Sequence, residues 1–491
     1  MNFFRIRIIV LFLLITGGIM NSGCGNWAIG SYQAESNQKK SMPSVLASNA
    51  YQYEGPERNP VIIVHGFLGA KIFDDSSNRE IWGKFSPGGM PESDYQAFAH
   101  PMKIGVPLSA LRNDTVDRQM LDVADVRVLG FEFTLPGYNR LTELLEKAGY
   151  VHESTPLPPN RFVHTIYEFH YDWRRDLVEN ARRLHEFILT KRQRLQEQYK
   201  KYYNVDNYDV QFDIVGHSMG GLISRYYLMF GDQDLPGEGG IPSPSWAGSK
   251  YVDKLFVVGT PNAGYLDTVS ELANGLQMAP GTPYYPSGVI ATFPAYYFML
   301  PEQVGGEVFG SDKPGEALDM FDFSVWEKYN LGLLNPDNDK ILAKLLPEAD
   351  TPEARRAIAK EHLQKCLKRA RLFRNAINQN VEKNPSKSKM YLFVGDSTPT
   401  SLHALLTPDG KISITQYGAG DGKVLTSSGR LDERRKAPYF FSPIPWDKIY
   451  FNQASHMGIL NSDDFAPNFR FQLLMNPTSS QKDRVMRNNY R

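Results

Sequence analysis

A serine hydroxyl attacks an ester only when a histidine takes its proton and an acid orients that histidine, so the three residue types must be found together. Gly216, His217, Ser218, Met219 and Gly220 form a glycine–x–serine–x–glycine pattern between the apolar run Phe212 to Val215 and the helical run Leu222 to Phe230. Strand, sharp turn and helix is the context that lifts such a serine to the tip of an elbow. Gly216 and Gly220, with Gly221 beyond, keep Cβ atoms out of that crowded turn. Around such an elbow the chain order is serine, acid, histidine, which sends the search beyond Ser218. Asp421, within Gly420, Asp421, Gly422 and after the strand-like run Ile412 to Gln416, is the expected acid, and Asp396 after the preceding run is the alternative. His362 falls on a long helical run and His403 precedes Asp421, which leaves His456 as the expected base.

The attacked carbonyl oxygen gains negative charge and needs two preorganised backbone donors. The Met219 amide supplies the first. The second is sought in the turn His65, Gly66, Phe67, Leu68, Gly69, where the Phe67 amide is flanked by glycines that admit close approach; the same turn also reads as a plain strand end. His65 and His217 neighbour these positions without being placed to act as base, and read as scaffold. No metal is expected: the chain has no closely spaced cysteine pair, and His164 and His170 are too far apart on one strand to clamp an ion unaided. No cofactor is implied.

Such residues need a rigid frame. Val61 to Val64, Phe162 to Tyr171, Gln211 to Val215 and Leu255 to Val258 read as strands, and the helical runs Leu141 to Ala148 and Leu177 to Tyr199 alternate with them. That alternation predicts an α/β class with a mostly parallel, doubly wound sheet. From about 262 to 389 the strand pattern stops and a Pro-, Gly- and aromatic-rich stretch leads to a long helix capped at Thr351, Pro352 and Glu353, which reads as an inserted cap. The sheet is expected to resume with Met390 to Val394, Ile412 to Tyr417 and Ile449 to Phe451, before a terminal helix opening at Ser462.

The N-terminus sets the compartment. Arg5 and Arg7 precede the short apolar run Ile8 to Ile15, the pattern of an export signal over residues 1–23. Ser22 and Gly23 before Cys24 resemble a bacterial lipoprotein signal, so lipidation at Cys24 is expected, although Asn21 stands where an aliphatic residue is usual and ordinary cleavage is the alternative. A Ser-, Asn-, Gln- and Lys-rich tether then covers 24–58, and the folded domain 59–491. Cys366, the only other cysteine, reads as a small buried hydrophobe. With 54 Lys and Arg against 54 Asp and Glu the net charge is zero, which removes the basic footprint of nucleic-acid binders.

With these residues placed, the chain resembles the lecithin:cholesterol acyltransferase family, which includes lysosomal phospholipase A2. The likeness rests on Gly66 to Gly69, on Leu141 to Tyr150 leading to Tyr171, Asp172, Trp173 and Arg174, on the elbow, and on Gly420, Asp421, Gly422 with the later His456. It implies an α/β-hydrolase fold with a lid, Ser218, Asp421 and His456 as triad, Phe67 and Met219 as oxyanion donors, and Trp82 as the aromatic residue of a mobile lid; a buried core tryptophan is the other reading of Trp82. It also implies a lipid acyl ester as substrate at a membrane surface, with water or an alcohol as acceptor. His65 replaces the family's usual proline, Gly259 to Gly264 looks closer to bacterial lipases, and the cysteines that pin the lid in animal members are missing. A carboxylesterase acting on small soluble esters and a non-catalytic surface lipoprotein are the competing expectations.

Overall fold

Six apolar runs pair in parallel as one sheet: β1 (Val61–Val64), β2 (Ile166–Phe169), β3 (Phe212–His217), β4 (Val252–Val258), β5 (Lys389–Gly395) and β6 (Lys448–Asn452). Their order across the sheet is β6-β5-β4-β3-β1-β2. The structure is a computed structural model and describes residues 53–83, 89–121, 123–128, 131–237, 240–278, 282–381, 384–433 and 441–489. The signal segment, Cys24 and most of the expected tether lie outside those residues.

Because side chains alternate along a strand, each strand feeds two cores. Ile62, Val64, Ile214, Leu255, Val257 and Leu392 enter one hydrophobic cluster, while Val61, Ile63, Val215, Phe256, Val258 and Phe393 enter the other. Helix α1 (Asn139–Lys147) covers the second face with Leu141 and Leu145, joined by Phe465 and Phe469 of the short helix Phe465–Arg470. The first face is covered by α2 (Leu177–Tyr203) through Leu184 and Ile188, and by α3 (Met219–Phe230) through Leu222 and Ile223. Burial on both faces explains why these strands read as unbroken apolar runs. Asp176 starts α2 by accepting from the amides of Val178 at 2.7 Å and Glu179 at 3.3 Å.

Three expectations are corrected. Ile412 to Tyr417 does not rejoin the central sheet: the strand Ile412–Gly420 pairs antiparallel with Thr398–Leu406, which also pairs with Glu307–Gly310 in a separate three-stranded sheet. Ser413 and Thr415 alternate with Ile412 and Ile414, as suits a strand with one wet face, and the strand is exposed or half-buried along most of its length. Glu307–Gly310 and the short pair Leu276–Gln277 with Tyr284–Tyr285 also place strands inside the stretch expected to have none. Finally, packing begins before Asn59. Glu54 accepts from the Tyr203 hydroxyl at 2.7 Å, and the buried Arg58 donates to the Gly149 carbonyl at 2.8 Å.

Between 262 and 389 lie α4 (Asp267–Asn274) and the long helix α5 (Pro352–Ile377), whose first turn is capped by the Thr351 hydroxyl accepting from the Ala354 amide at 3.2 Å. Arg225 of α3 is 2% exposed and fastens α5 to the core. Its guanidinium donates to the Ile377 carbonyl at 2.6 Å and to the side-chain oxygens of Asn262 at 2.7 Å and Asn378 at 3.3 Å. No carboxylate is paired with it among the described residues; the carbonyl end of α5, with its partial negative charge, takes that place. Arg225→Met is expected to lower stability by about 2–3 kcal/mol, because the Ile377 and Asn262 oxygens lose a charged donor in a dry setting. Urea unfolding checks this, and an unchanged midpoint would show that solvent reaches the site.

Candidate active site

Ser218 stands between β3 and α3 with φ 53° and ψ −125°, a left-handed strained conformation for a residue with a side chain. Close packing around it holds that geometry. A Cβ on Gly66 would come within 2.7 Å of the Ser218 Cβ, and one on Gly216 within 2.8 Å of the Gly221 Cα. The turn of β1 therefore lies directly against the nucleophile position, which only glycine at 66 allows.

The three residues expected to act together do meet. The Ser218 Oγ lies 2.9 Å from His456 Nε2, and His456 Nδ1 lies 2.8 Å from Asp421 Oδ2. A carboxylate only accepts, so Nδ1 carries the proton and Nε2 is left free to accept from the serine hydroxyl. Asp421 is 1% exposed. Its other oxygen, Oδ1, accepts from the amides of Lys423 at 2.9 Å and Val424 at 2.7 Å, so Oδ2 is the oxygen reserved for the imidazole. Asp396, the alternative acid, is exposed at the end of β5.

How Asp421 arrives explains why both aspartates fitted the sequence. The chain leaves β5, runs out and back as the hairpin Thr398–Leu406 and Ile412–Gly420, and returns so that Asp421 bridges Thr398. Asp421 thus occupies the space beside the tip of β5, where a Cβ on Gly395 would fall 2.5 Å from its own Cβ. Gly422, at φ 90°, makes the turn, and its amide donates to Thr400 Oγ1 at 2.8 Å. Lys423 then reaches Asp267 at 3.1 Å and Glu271 at 3.2 Å on α4, tying the acid's turn to the inserted region. Burial pushes the Glu271 carboxyl above its usual range against the opposing pull of Lys423.

Met219 is the first residue of α3, where helical amides have no intrahelical acceptor and the helix dipole favours negative charge. Phe67 lies in the turn above Ser218, its ring edge-on to Trp173 at 4.9 Å and to Tyr296 at 4.7 Å. Trp82 is not on an exposed lid surface. It is 1% exposed, sits edge-on to Trp173 at 5.1 Å and stacked on Phe98 at 5.8 Å, and donates to the Leu68 carbonyl at 3.1 Å. The buried-core reading of this tryptophan describes its position, one layer behind Phe67.

Sequence reading missed Tyr138. Its hydroxyl accepts from the Gly66 amide at 2.6 Å and lies 3.0 Å from His217 Nδ1. Nothing local marks a tyrosine 72 residues from the turn it touches; only the fold brings them together. Cys366, read from the sequence as a small buried hydrophobe, is a buried free thiol on α5. Among the described residues no group of three or more His, Cys, Asp or Glu is placed to hold a metal ion.

Known proteins are similar to this chain in fold and over part of its sequence. No curated protein matches the chain. Among solved structures, the Tle4-Tli4 complex is similar at 12% identity, with 85% of this chain and 98% of that chain covered and a TM-score of 0.53. EstA from Clostridium botulinum aligns at 13% identity over 88% of this chain and 90% of that one, with a TM-score of only 0.31. The family Lecithin:cholesterol acyltransferase matches residues 134–337, a span that holds Tyr171 to Arg174 and the elbow but ends before Asp421 and His456. The chain therefore has the α/β-hydrolase fold, and the resemblance read from its motifs holds across residues 134–337, which match the lecithin:cholesterol acyltransferase family.

Proposed function

We propose that this protein is a serine-dependent enzyme that hydrolyses or transfers the acyl group of lipid esters through an acyl–Ser218 intermediate. One observation carries the reading: Oγ to Nε2 at 2.9 Å and Nδ1 to Oδ2 at 2.8 Å, with the serine on a strained elbow. In acylation, Ser218 Oγ bonds to the acyl carbon as its proton passes to His456 Nε2, and Asp421 stabilises the imidazolium through Nδ1. The charge that builds on the carbonyl oxygen is met by the amides of Phe67 and Met219. Collapse breaks the ester bond, and the leaving alcohol takes the proton from Nε2. Water or a second alcohol then gives its proton to His456 Nε2 and attacks the acyl carbon, and the bond to Ser218 Oγ breaks as Oγ takes that proton back.

The family match over 134–337 and the apolar wall behind the oxyanion turn support a lipid acyl group. Phe293 to Leu300 are fully buried, and Phe293 and Tyr296 form that wall by packing behind Trp173 and Phe67. An exported position, with Cys24 lipid-anchored beside membrane substrate, belongs to the same proposal and is supported by the sequence of residues 1–24.

The test incubates wild type and Ser218→Ala with mixed phospholipid and triacylglycerol vesicles, with and without a long-chain alcohol, and identifies products by mass spectrometry. Free fatty acid from wild type alone supports lipid hydrolysis, and new esters add acyl transfer. Turnover confined to short soluble esters would replace the lipid reading with a small-ester esterase. Absence of any Ser218-dependent product on either substrate class would withdraw the catalytic reading.

A further inference from the structure

The buried histidines His65 and His217 take no proton in the mechanism above, yet each touches a group that the mechanism needs held still. His217 Nε2 lies 3.2 Å from the carbonyl oxygen of His456, and that oxygen can only accept, so Nε2 carries the hydrogen. A neutral ring then leaves Nδ1 as an acceptor, and the Tyr138 hydroxyl 3.0 Å away must donate to it. The oxygen of the same hydroxyl accepts from the Gly66 amide at 2.6 Å. Every hydrogen in the sequence Gly66 amide, Tyr138, His217, His456 carbonyl therefore points the same way.

On its other side Gly66 is held by His65. Nε2 of His65 accepts from the Tyr171 amide at 3.3 Å, which leaves Nδ1 to donate to the Gly66 carbonyl at 2.8 Å. A trans peptide directs its carbonyl and its amide to opposite sides. Fixing the Gly66 carbonyl thus fixes the direction of the Phe67 amide, the candidate oxyanion donor. His65 is itself clamped, stacked on the Tyr171 ring at 4.0 Å with the Tyr171 hydroxyl donating to its carbonyl at 2.6 Å.

We propose that Tyr138 and His217 are positioning residues that couple the oxyanion turn to the backbone of the base, so that the Phe67 amide and His456 keep a fixed separation across Ser218. The proposal rests on the triad reading. It adds a linkage between two halves of the site that the chain reaches by separate routes, the turn after β1 and the loop after β6. Chains of hydrogen bonds in a dry setting polarise one another and act as a unit, which is the property such a spacer needs. Both histidines are fully buried, and burial holds the His217 pKa down at about 3, so the ring keeps the neutral form the chain requires through the working range.

The experiment measures kcat and KM on a chromogenic medium-chain ester, together with the rate of labelling by a fluorophosphonate, for Tyr138→Phe, His217→Phe and the double variant. Tyr138→Phe leaves the ring in place and removes both hydrogen bonds. Each single variant should lower kcat and the labelling rate about 10-fold at unchanged KM. The double variant should fall no further than the worse single one, a coupling of about 1.4 kcal/mol. His217→Gln, which can return a donor to the His456 carbonyl, should recover part of the rate. Multiplicative losses in the double variant would overturn the coupling, as would a fall in melting temperature with kcat intact. Equal rates for wild type and Ser218→Ala in the same assays would instead sink the triad reading, a failure separable from the first.

Discussion

Ser218→Ala is expected to lower kcat by about 10⁶-fold, and Asp421→Asn by about 10⁴-fold, with the fold retained in both. The first loss follows from removing the atom that bonds to the acyl carbon. The second has a cause specific to this site. Asp421 Oδ1 is already committed to the Lys423 and Val424 amides, so in Asp421→Asn the carboxamide oxygen keeps those bonds and the NH2 group takes the place of Oδ2. His456 Nδ1 would then face a donor and be forced to accept, moving its hydrogen to Nε2, 2.9 Å from Ser218 Oγ. The serine would face a donor where it needs an acceptor. Steady-state kinetics with circular dichroism on the same samples measure both losses. Asp396→Asn, at the exposed tip of β5, should turn over as wild type does. If Asp396→Asn lost activity and Asp421→Asn kept it, the acid would have been misassigned.

The elbow and the turn at Asp421 were legible because each sits in a short local pattern whose steric demands are strict, glycines where Cβ atoms would collide at Gly216 and a positive-φ turn at Gly422, whereas His456 was reached only by eliminating the other histidines after Ser218. The central strands were legible for a different reason. Burial on both faces leaves Val61 to Val64 and Val252 to Val258 no polar positions beyond Asp253 and Lys254, which are held by Asn59 and by the Gln472 and Leu473 carbonyls. Strand identity was legible, but sheet membership was not always so. Ile412–Gly420 reads as a strand and is one, and its polar Ser413 and Thr415 set it apart from the strands buried on both faces, yet its residues do not name Thr398–Leu406 as its partner. Even so, Asp421 is delivered to the end of β5 because the hairpin begins and ends there. Contacts across long separations left no trace in the sequence: Tyr138 with Gly66, Lys423 with α4, and Trp82 within an aromatic group drawn from four segments. Composition gives such residues a preference for burial, and only the fold decides among whom.

Asp172→Ala should cost about 3–5 kcal/mol of stability, the loss typical of stranding one member of a buried ion pair. Arg174 is 1% exposed and Asp172 6%, and they meet in a two-point contact, Nε to Oδ1 at 2.9 Å and Nη2 to Oδ2 at 2.7 Å. The remaining donors of Arg174 go to the carbonyls of Ala97 at 3.1 Å and Phe98 at 2.7 Å and to Thr115 Oγ1 at 2.6 Å. Trp173, between them, donates to the Ala70 carbonyl at 2.9 Å, and Tyr171 before them holds His65. Four consecutive residues after β2 thus fasten the oxyanion turn and the segment from 97 to 115 to the sheet edge. Removing the Asp172 carboxylate leaves a dehydrated guanidinium with only neutral acceptors, whereas Asp172→Ala combined with Arg174→Met removes the charge too and should recover much of the loss. Urea unfolding with an unchanged slope reads the difference in midpoint. Asp409→Ala serves as the comparison, since its pairing with Lys411 at 2.7 Å joins side chains 56% and 82% exposed and should leave the midpoint where it is. A midpoint for Asp172→Ala no lower than that of Asp409→Ala would mean that water reaches Arg174, and that the hold on the oxyanion turn comes from Trp173 and Tyr171 alone.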